Sequence, residues 1–232
     1  MGTTEGLGKI YIYKLAVDNG GAPCVWNELL SLAICKPMIR STAQSGATIL
    51  GFAADSLKPE YPDNCLIYVA RVTRRLKGED YFSDEYAIRP DCIYSWNAPE
   101  FKWRPNAKYH SEDDLVHDLG EPDAYNRANV LLSEGIASFR YFRNRCPVEY
   151  RQRYPLLGGL VEALCRGHRV NFTPELENET RDFMQELFRL PVTRVETLVP
   201  ETPCADGCTG DDDENNVVDC GNTIRVIGCK WQ

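Results

Sequence analysis

The segment from Lys9, KIYIYKLAV, alternates aromatic and β-branched residues with others before the turn-forming DNGGAP, and this period of two predicts a strand. CVWNELLSLAICKP then runs into MIRSTAQSG, where Pro37 suits the first turn of a short helix that Gly46 closes. ATILGFAA and, after the Pro-containing loop KPEYPDN, CLIYVARVT are two further apolar strands. The order strand, short helix, strand, strand differs from the repeated strand-helix alternation of a doubly wound sheet. It predicts an α+β fold with a curved sheet or small β-barrel and flanking helices. The strands beginning near Lys9, Ala47 and Cys65 are expected to share one sheet that closes as the barrel.

Further along, DYFSDEYAIRPDCIYSWN and EFKWRPNAKYH interleave Tyr, Trp and Phe with Asp, Arg and Lys and read as covering loops. ANVLLSEGIASFRYFRNR predicts a strand pair around Gly135, and YRQRYPLLGGLVEALCRGHRV a helix stopped at Gly167. TPELENETRDFMQELFRL has Thr173 as N-cap, Pro174 at the first helical position and Glu in the first turn, which together predict a helix. From Pro191 the pattern dissolves into an acidic stretch that reads as a linker or flexible tail.

Charge sharpens this division. The net charge of −8 argues at first against nucleic acid, yet residues up to Val170 hold 21 Lys and Arg against 21 Asp and Glu, and the remainder 5 against 13. Between Arg127 and Arg169 eight Arg face three Glu, a local basic segment able to steer an anionic partner. With 43% hydrophobic and 26% charged residues the chain reads as globular, and no apolar run approaches the roughly 18 residues of a membrane span. The N-terminal MGTTEGLGK lacks a basic start followed by an apolar core and has no Ser or Thr at position 6, so neither a secretory signal nor a myristoyl anchor is expected. The expected location is therefore intracellular, cytoplasmic or nuclear, without membrane partners. Cys24, Cys35, Cys65, Cys92, Cys146 and Cys165 are scattered among apolar neighbours and read as mostly reduced, buried thiols.

The motifs YKLAVDNGGAP, LAICKPMIR, ILGFAA, LIYVARVT, RPDCIY, HDLG and VLLSEGIASFRYF together resemble those of the nucleotide modification associated domain two family, over roughly residues 9 to 145. The opening order of elements is also similar to that of PUA-like domains, the small barrels that include EVE, YTH and ASCH modules. Arg143 departs from the family pattern, which has Gly after FRYF. The resemblance implies a PUA-like domain over 7–190, followed by the acidic Cys-containing tail 191–232. It also implies a link to DNA base modification, without naming a reaction.

Several residues are candidates for a site. Cys35, Lys36 and Arg40 are close enough in sequence to flank one pocket mouth, with Lys36 and Arg40 as donors to phosphate or base edges, or simply an exposed helix face. Phe52, after Gly51, is either a stacking wall or core. Arg89, Asp91 and Tyr94 lie on one loop, where Asp91 can accept from an exocyclic amine while Tyr94 stacks, or Arg89 can pair with Asp91. His117 is either a polar site residue or part of a turn, and Asp118 reads first as a turn cap. Ser133, His117 and Asp91 or Asp118 supply the types for nucleophile, base and orienter, with Cys35 able to replace Ser133, although no diagnostic spacing joins them. No Gly-x-Ser-x-Gly, phosphate loop or dinucleotide fingerprint is present. Cys204, Cys208, Cys220 and Cys229 have the ligand count of a four-thiolate zinc site, at irregular spacing.

These residues allow two functions. The first expectation is a binding module that holds a nucleotide base, especially a modified one in DNA or RNA, in an aromatic and polar pocket, with no cofactor. The alternative is an enzyme that installs or processes a modified nucleobase with Cys35, Asp91, His117 and Ser133 as its chemical groups.

Overall fold

The computed structural model describes residues 8–165 and 167–192. In chain order its elements are β1 (Ile10–Leu15), β2 (Cys24–Trp26), β3 (Leu29–Leu32), α1 (Pro37–Thr42), β4 (Thr48–Ala53), β5 (Leu66–Arg71), β6 (Arg74–Lys77) and α2 (Gly78–Tyr81). There follow β7 (Tyr94–Asn97), β8 (Glu100–Trp103), α3 (Leu115–Leu119), β9 (Asn129–Glu134), β10 (Phe139–Tyr141), α4 (Tyr150–Arg153), α5 (Pro155–Ala163), β11 (His168–Arg169) and α6 (Pro174–Arg189). The fold is mixed α+β.

β1, β4 and β5 do share a sheet, in the order β10-β5-β4-β1-β11. Only β1 and β4 run parallel in it, because α1 lies on the connection between them. A second, antiparallel sheet has the order β2-β3-β9-β6, and β7 pairs with β8 as a separate hairpin. The expected barrel does not form: the first sheet ends in β10 on one side and β11 on the other, and among the described residues these do not pair. The reason is in the middle of the chain. Val72 and Thr73 are enough to carry β5 of the first sheet into β6 of the second, and the segment from Gly135 to Ser138 carries β9 back into β10. The strand pair around Gly135 is thus real as two strands but divided between two sheets.

Alternation along β1 explains the layering. Ile10 and Ile12 face one side of the first sheet, where they join Leu50, Phe52 and Leu66 in a core covered by Leu157, Val161, Phe183 and Leu187 of α5 and α6. Tyr11, Tyr13 and Leu15 face the other way, into a core shared with Leu30, Leu32 and Leu131 of the second sheet. Beyond that sheet a third core, with Tyr81, Phe82, Tyr94, Phe101 and Leu119, is closed by the β7–β8 hairpin, α2 and α3.

Thr173 caps α6 by accepting from the Leu176 N–H, and Pro174 opens it. Pro37 opens α1 as anticipated. YRQRYPLLGGLVEALCRGHRV does contain a helix, but α5 ends at Ala163 rather than at Gly167, and Tyr154 separates it from the short α4 because Pro155 disfavours helical backbone in the residue before it. The acidic stretch from residue 193 onward, with its zinc candidates Cys204, Cys208, Cys220 and Cys229, lies outside the described residues.

Gly51 has a packing role. It pairs with Tyr13 on one side and Tyr68 on the other, so the three residues form a row across β1, β4 and β5. A Cβ at Gly51 would stand 2.3 Å from the Tyr68 ring and 2.5 Å from Leu15 Cδ1. The missing side chain lets the two tyrosine hydroxyls meet at 3.0 Å across the strand between them. Gly51→Ala is expected to lower stability by about 1–3 kcal/mol, the usual result of overpacking. Urea unfolding checks this, and an unchanged midpoint would contradict it.

Candidate active site

The chain leaves β3 through Ala33 and Ile34 and reaches Cys35 and Lys36, both with left-handed backbone at φ 54° and 44°. Non-glycine residues in this region cost roughly 1–3 kcal/mol each, and such strain collects where a side chain must be aimed. Here the aim is evident. Cys35 Sγ lies 3.3 Å from His110 Nε2, and His110 Nδ1 lies 2.6 Å from Asp118 Oδ2. His110 itself has φ 55°, on the loop before α3, whose first turn follows a capping box between Ser111 and Asp114. Asp118, on α3, has no exposed surface.

Asp118 is the hub of this arrangement. Besides the imidazole, its carboxylate accepts the Cys35 backbone N–H at 2.9 Å and the Tyr94 hydroxyl at 2.8 Å, and Arg40 Nη2 stands 3.8 Å away. Burial alone would raise the carboxyl's pKa. The hydrogen bond and charge of His110, then Arg40 and Tyr94, outweigh burial and hold it below its ordinary value of 3.8. Tyr94 is shifted the other way, upward, first by burial and then by the Asp118 charge. Arg40 is wholly buried and spends its guanidinium on main-chain carbonyls: Nε on Cys35 at 2.6 Å, Nη1 on Arg127 at 2.9 Å and Asn129 at 2.7 Å, Nη2 on Asp118 at 2.7 Å. It ties the segment carrying the thiol to the helix carrying the carboxylate.

A second polar group faces the first sheet. Tyr61 and Tyr141 donate their hydroxyls to the two oxygens of Asp18, at 2.6 Å and 2.7 Å. Lys36 Nζ stands 5.5 Å over the ring of Tyr13, which bonds Tyr68. The loop carrying Asp18 is tied to the loop carrying His110: Tyr109 donates to the Asn19 carbonyl at 3.2 Å, and its ring lies 2.9 Å from where a Cβ on Gly21 would be.

The sequence-based candidates are distributed unevenly around these groups. Cys35 is central. Arg40 and Tyr94 belong to the site as buried partners of Asp118, without an outward donor or an open ring face. Lys36 is half-buried at its edge. Phe52 is fully buried against Tyr150, with ring centroids 5.2 Å apart, and offers no wall to a base. Arg89 and Asp91 pair at 3.3 Å in a separate buried cluster where Ser31 and Tyr81 donate to Asp91 and Arg89 also binds the Trp26 carbonyl at 3.0 Å. That cluster braces the β2–β3 hairpin. Ser133 is buried in β9 opposite Leu30. His117 precedes Asp118 on α3, and successive helical residues point about 100° apart, so the two do not share a direction.

His110 and the role of Asp118 were missed by sequence reasoning. The one available signal was that His110 is among only three histidines and stands next to an acidic capping sequence. The basic segment from Arg127 is also no continuous field of free charge. Arg140 is buried on the carbonyls of Phe139 and Phe188, Arg153 pairs with Glu186 and Arg151 with Glu149.

Cys24, Cys35, Cys65, Cys92 and Cys146 are free thiols, whereas Cys165, expected with them to be reduced and buried, is exposed and disulfide-bonded. Among the described residues no three His, Cys, Asp or Glu gather as a metal-holding group, and no helix is long and apolar enough to cross a membrane.

Fold and geometry together define a mixed α+β protein with a thiol, an imidazole and a buried carboxylate in line beside two packed sheets. The family model for nucleotide modification associated domain 2 matches residues 7–152, and the chain belongs to that family. Its name associates the protein with nucleotide modification. No curated protein and no solved structure matches the chain.

Proposed function

We propose that the protein is a cysteine-dependent enzyme acting on a nucleotide or nucleic-acid base, with Cys35 as nucleophile, His110 as general base and acid, and Asp118 as the group that orients His110. The observation that carries this reading is the line Cys35 Sγ to His110 Nε2 to His110 Nδ1 to Asp118 Oδ2, at 3.3 Å and 2.6 Å. A nucleophile bonded to a base that is held by a third group is the recurring arrangement of covalent catalysis, independent of fold and of sequence order.

In this reading the Cys35 proton passes to His110 Nε2 as sulfur attacks an acyl or amidine carbon on the modified base. The departing amine leaves with the proton from His110. Water, deprotonated by the same imidazole, then cleaves the thioester or its nitrogen analogue and restores the thiol. Asp118 keeps Nδ1 protonated and balances the imidazolium without itself taking the proton.

A module that only holds a base by stacking draws less support, because Phe52 and Tyr94 are enclosed. The test is intact-mass analysis after incubation with nucleotides bearing acyl, amide or amidine substituents. A covalent adduct mapping to Cys35 and absent from Cys35→Ser is the expected result. Undiminished turnover by Cys35→Ala would overturn the assignment.

A further inference from the structure

We infer that Asp18 is the base-reading carboxylate of this site and that it takes a base presenting two adjacent N–H donors, the edge that guanine carries at N1 and its 2-amino group. The inference rests on the nucleotide-handling reading above and names the substrate class that such a site selects.

Each Asp18 oxygen already accepts one tyrosine hydroxyl, from Tyr61 and from Tyr141. A carboxylate oxygen has two lone-pair sites, so each oxygen of Asp18 can accept a second donor. Two parallel acceptors match two parallel donors, the geometry that makes forked pairing selective. The two hydroxyls fix the plane in advance, so its orientation costs no rearrangement on binding. Asp18 remains half-buried, whereas Tyr61 and Tyr141 are buried around it. A rigid acceptor pair at a partly open position is suited to a ligand rather than to further packing.

Its place relative to the thiol supports the same conclusion. The turn carrying Asp18 is bound through Asn19 to Tyr109, the residue next to His110. From the other side, Lys36, the neighbour of Cys35, covers the ring of Tyr13. The Tyr13 hydroxyl is pushed up first by burial and then by Tyr68. Thiol and carboxylate are therefore carried by segments that meet through the Tyr109–His110 loop, with half-buried Lys36 next to Cys35 as a donor for phosphate. Arg143, left-handed at φ 56°, bonds Tyr61 beside the carboxylate.

The experiment is a binding panel by calorimetry with GMP, IMP, which lacks the 2-amino group, and 2-aminopurine riboside monophosphate, which lacks the N1 proton. Wild-type protein is expected to bind GMP about 10- to 100-fold more tightly than either analogue, the discrimination of one good bidentate pair. Asp18→Asn should bind all three alike, with its folded-state circular dichroism unchanged. Equal wild-type affinities overturn the inference, as does retained preference in a folded Asp18→Asn. If that variant does not fold, the wild-type panel decides alone. Cys35→Ala should keep the preference, so loss of thiol chemistry and loss of base selection are read separately.

Discussion

Arg40→Met will lower the stability of the protein by about 3–5 kcal/mol, the loss that follows when one partner of a buried charge pair is removed. The side chain has no exposed surface, and its guanidinium satisfies carbonyls of Cys35, Asp118, Arg127 and Asn129 while standing 3.8 Å from the Asp118 carboxylate. Methionine fills much of the volume and none of these acceptors. Arg40→Lys should recover little, since an ammonium cannot reproduce a planar fork directed at four carbonyls. The loss will also depend on pH. Asp118 is held below 3.8 in the folded protein, so its contribution is complete above that value and disappears as pH falls through the lowered one. Without Arg40 the folded value rises toward the ordinary one, so the acid-dependent loss is smaller and is complete at a higher pH. Urea unfolding of the three proteins at neutral and acid pH measures both effects, and wild-type stability in Arg40→Lys would refute the account.

The second large effect concerns reactivity. His110→Ala is expected to slow alkylation of Cys35 by iodoacetamide at pH 7 about 100-fold, within the usual range for loss of a positioned base. Cys35 is 5% exposed, and His110 Nε2, 3.3 Å from its sulfur, is the group placed to take the thiol proton. Asp118→Asn should produce a smaller decrease, because the imidazole remains but loses the acceptor that orients Nδ1. Peptide mapping is needed to separate Cys35 from the other free thiols. Equal Cys35 labelling in wild type and His110→Ala would show that the imidazole does not activate the sulfur.

Local pattern carried much of the architecture. The alternation in β1, the apolar runs of β4 and β5 and the cap of α6 are set by residues next to one another, and they form where the sequence places them. Barrel closure was a statement about distant edges, and it failed because β5 and β9 each leave their sheet for the other one. The site failed to show for a related reason. Cys35 lies 75 residues before His110 and 83 before Asp118, and no spacing rule links positions that far apart. Asp118 looked like a turn residue because Gly120 follows it, but it lies within α3, which ends at Gly120 with φ 86°. The carboxylate nevertheless serves a histidine eight residues earlier. Conversely, Phe52 looked accessible beside Gly51, but the space that Gly51 leaves belongs to Tyr68 and Leu15.

The passage of β5 into β6 lies beside the passage of β9 into β10, since β5 pairs with β10 and β6 with β9. One two-stranded ribbon therefore belongs to both sheets and forms a spine between them. Cys35 follows β3 in the second sheet, whereas Asp18 follows β1 in the first. The span from sulfur to carboxylate is thus a backbone dimension, gauged by how the spine folds. For a ligand held between Cys35 and Asp18 as proposed, a change of side chain at either end would alter what is grasped, whereas a ligand of different length would require the ribbon itself to bend.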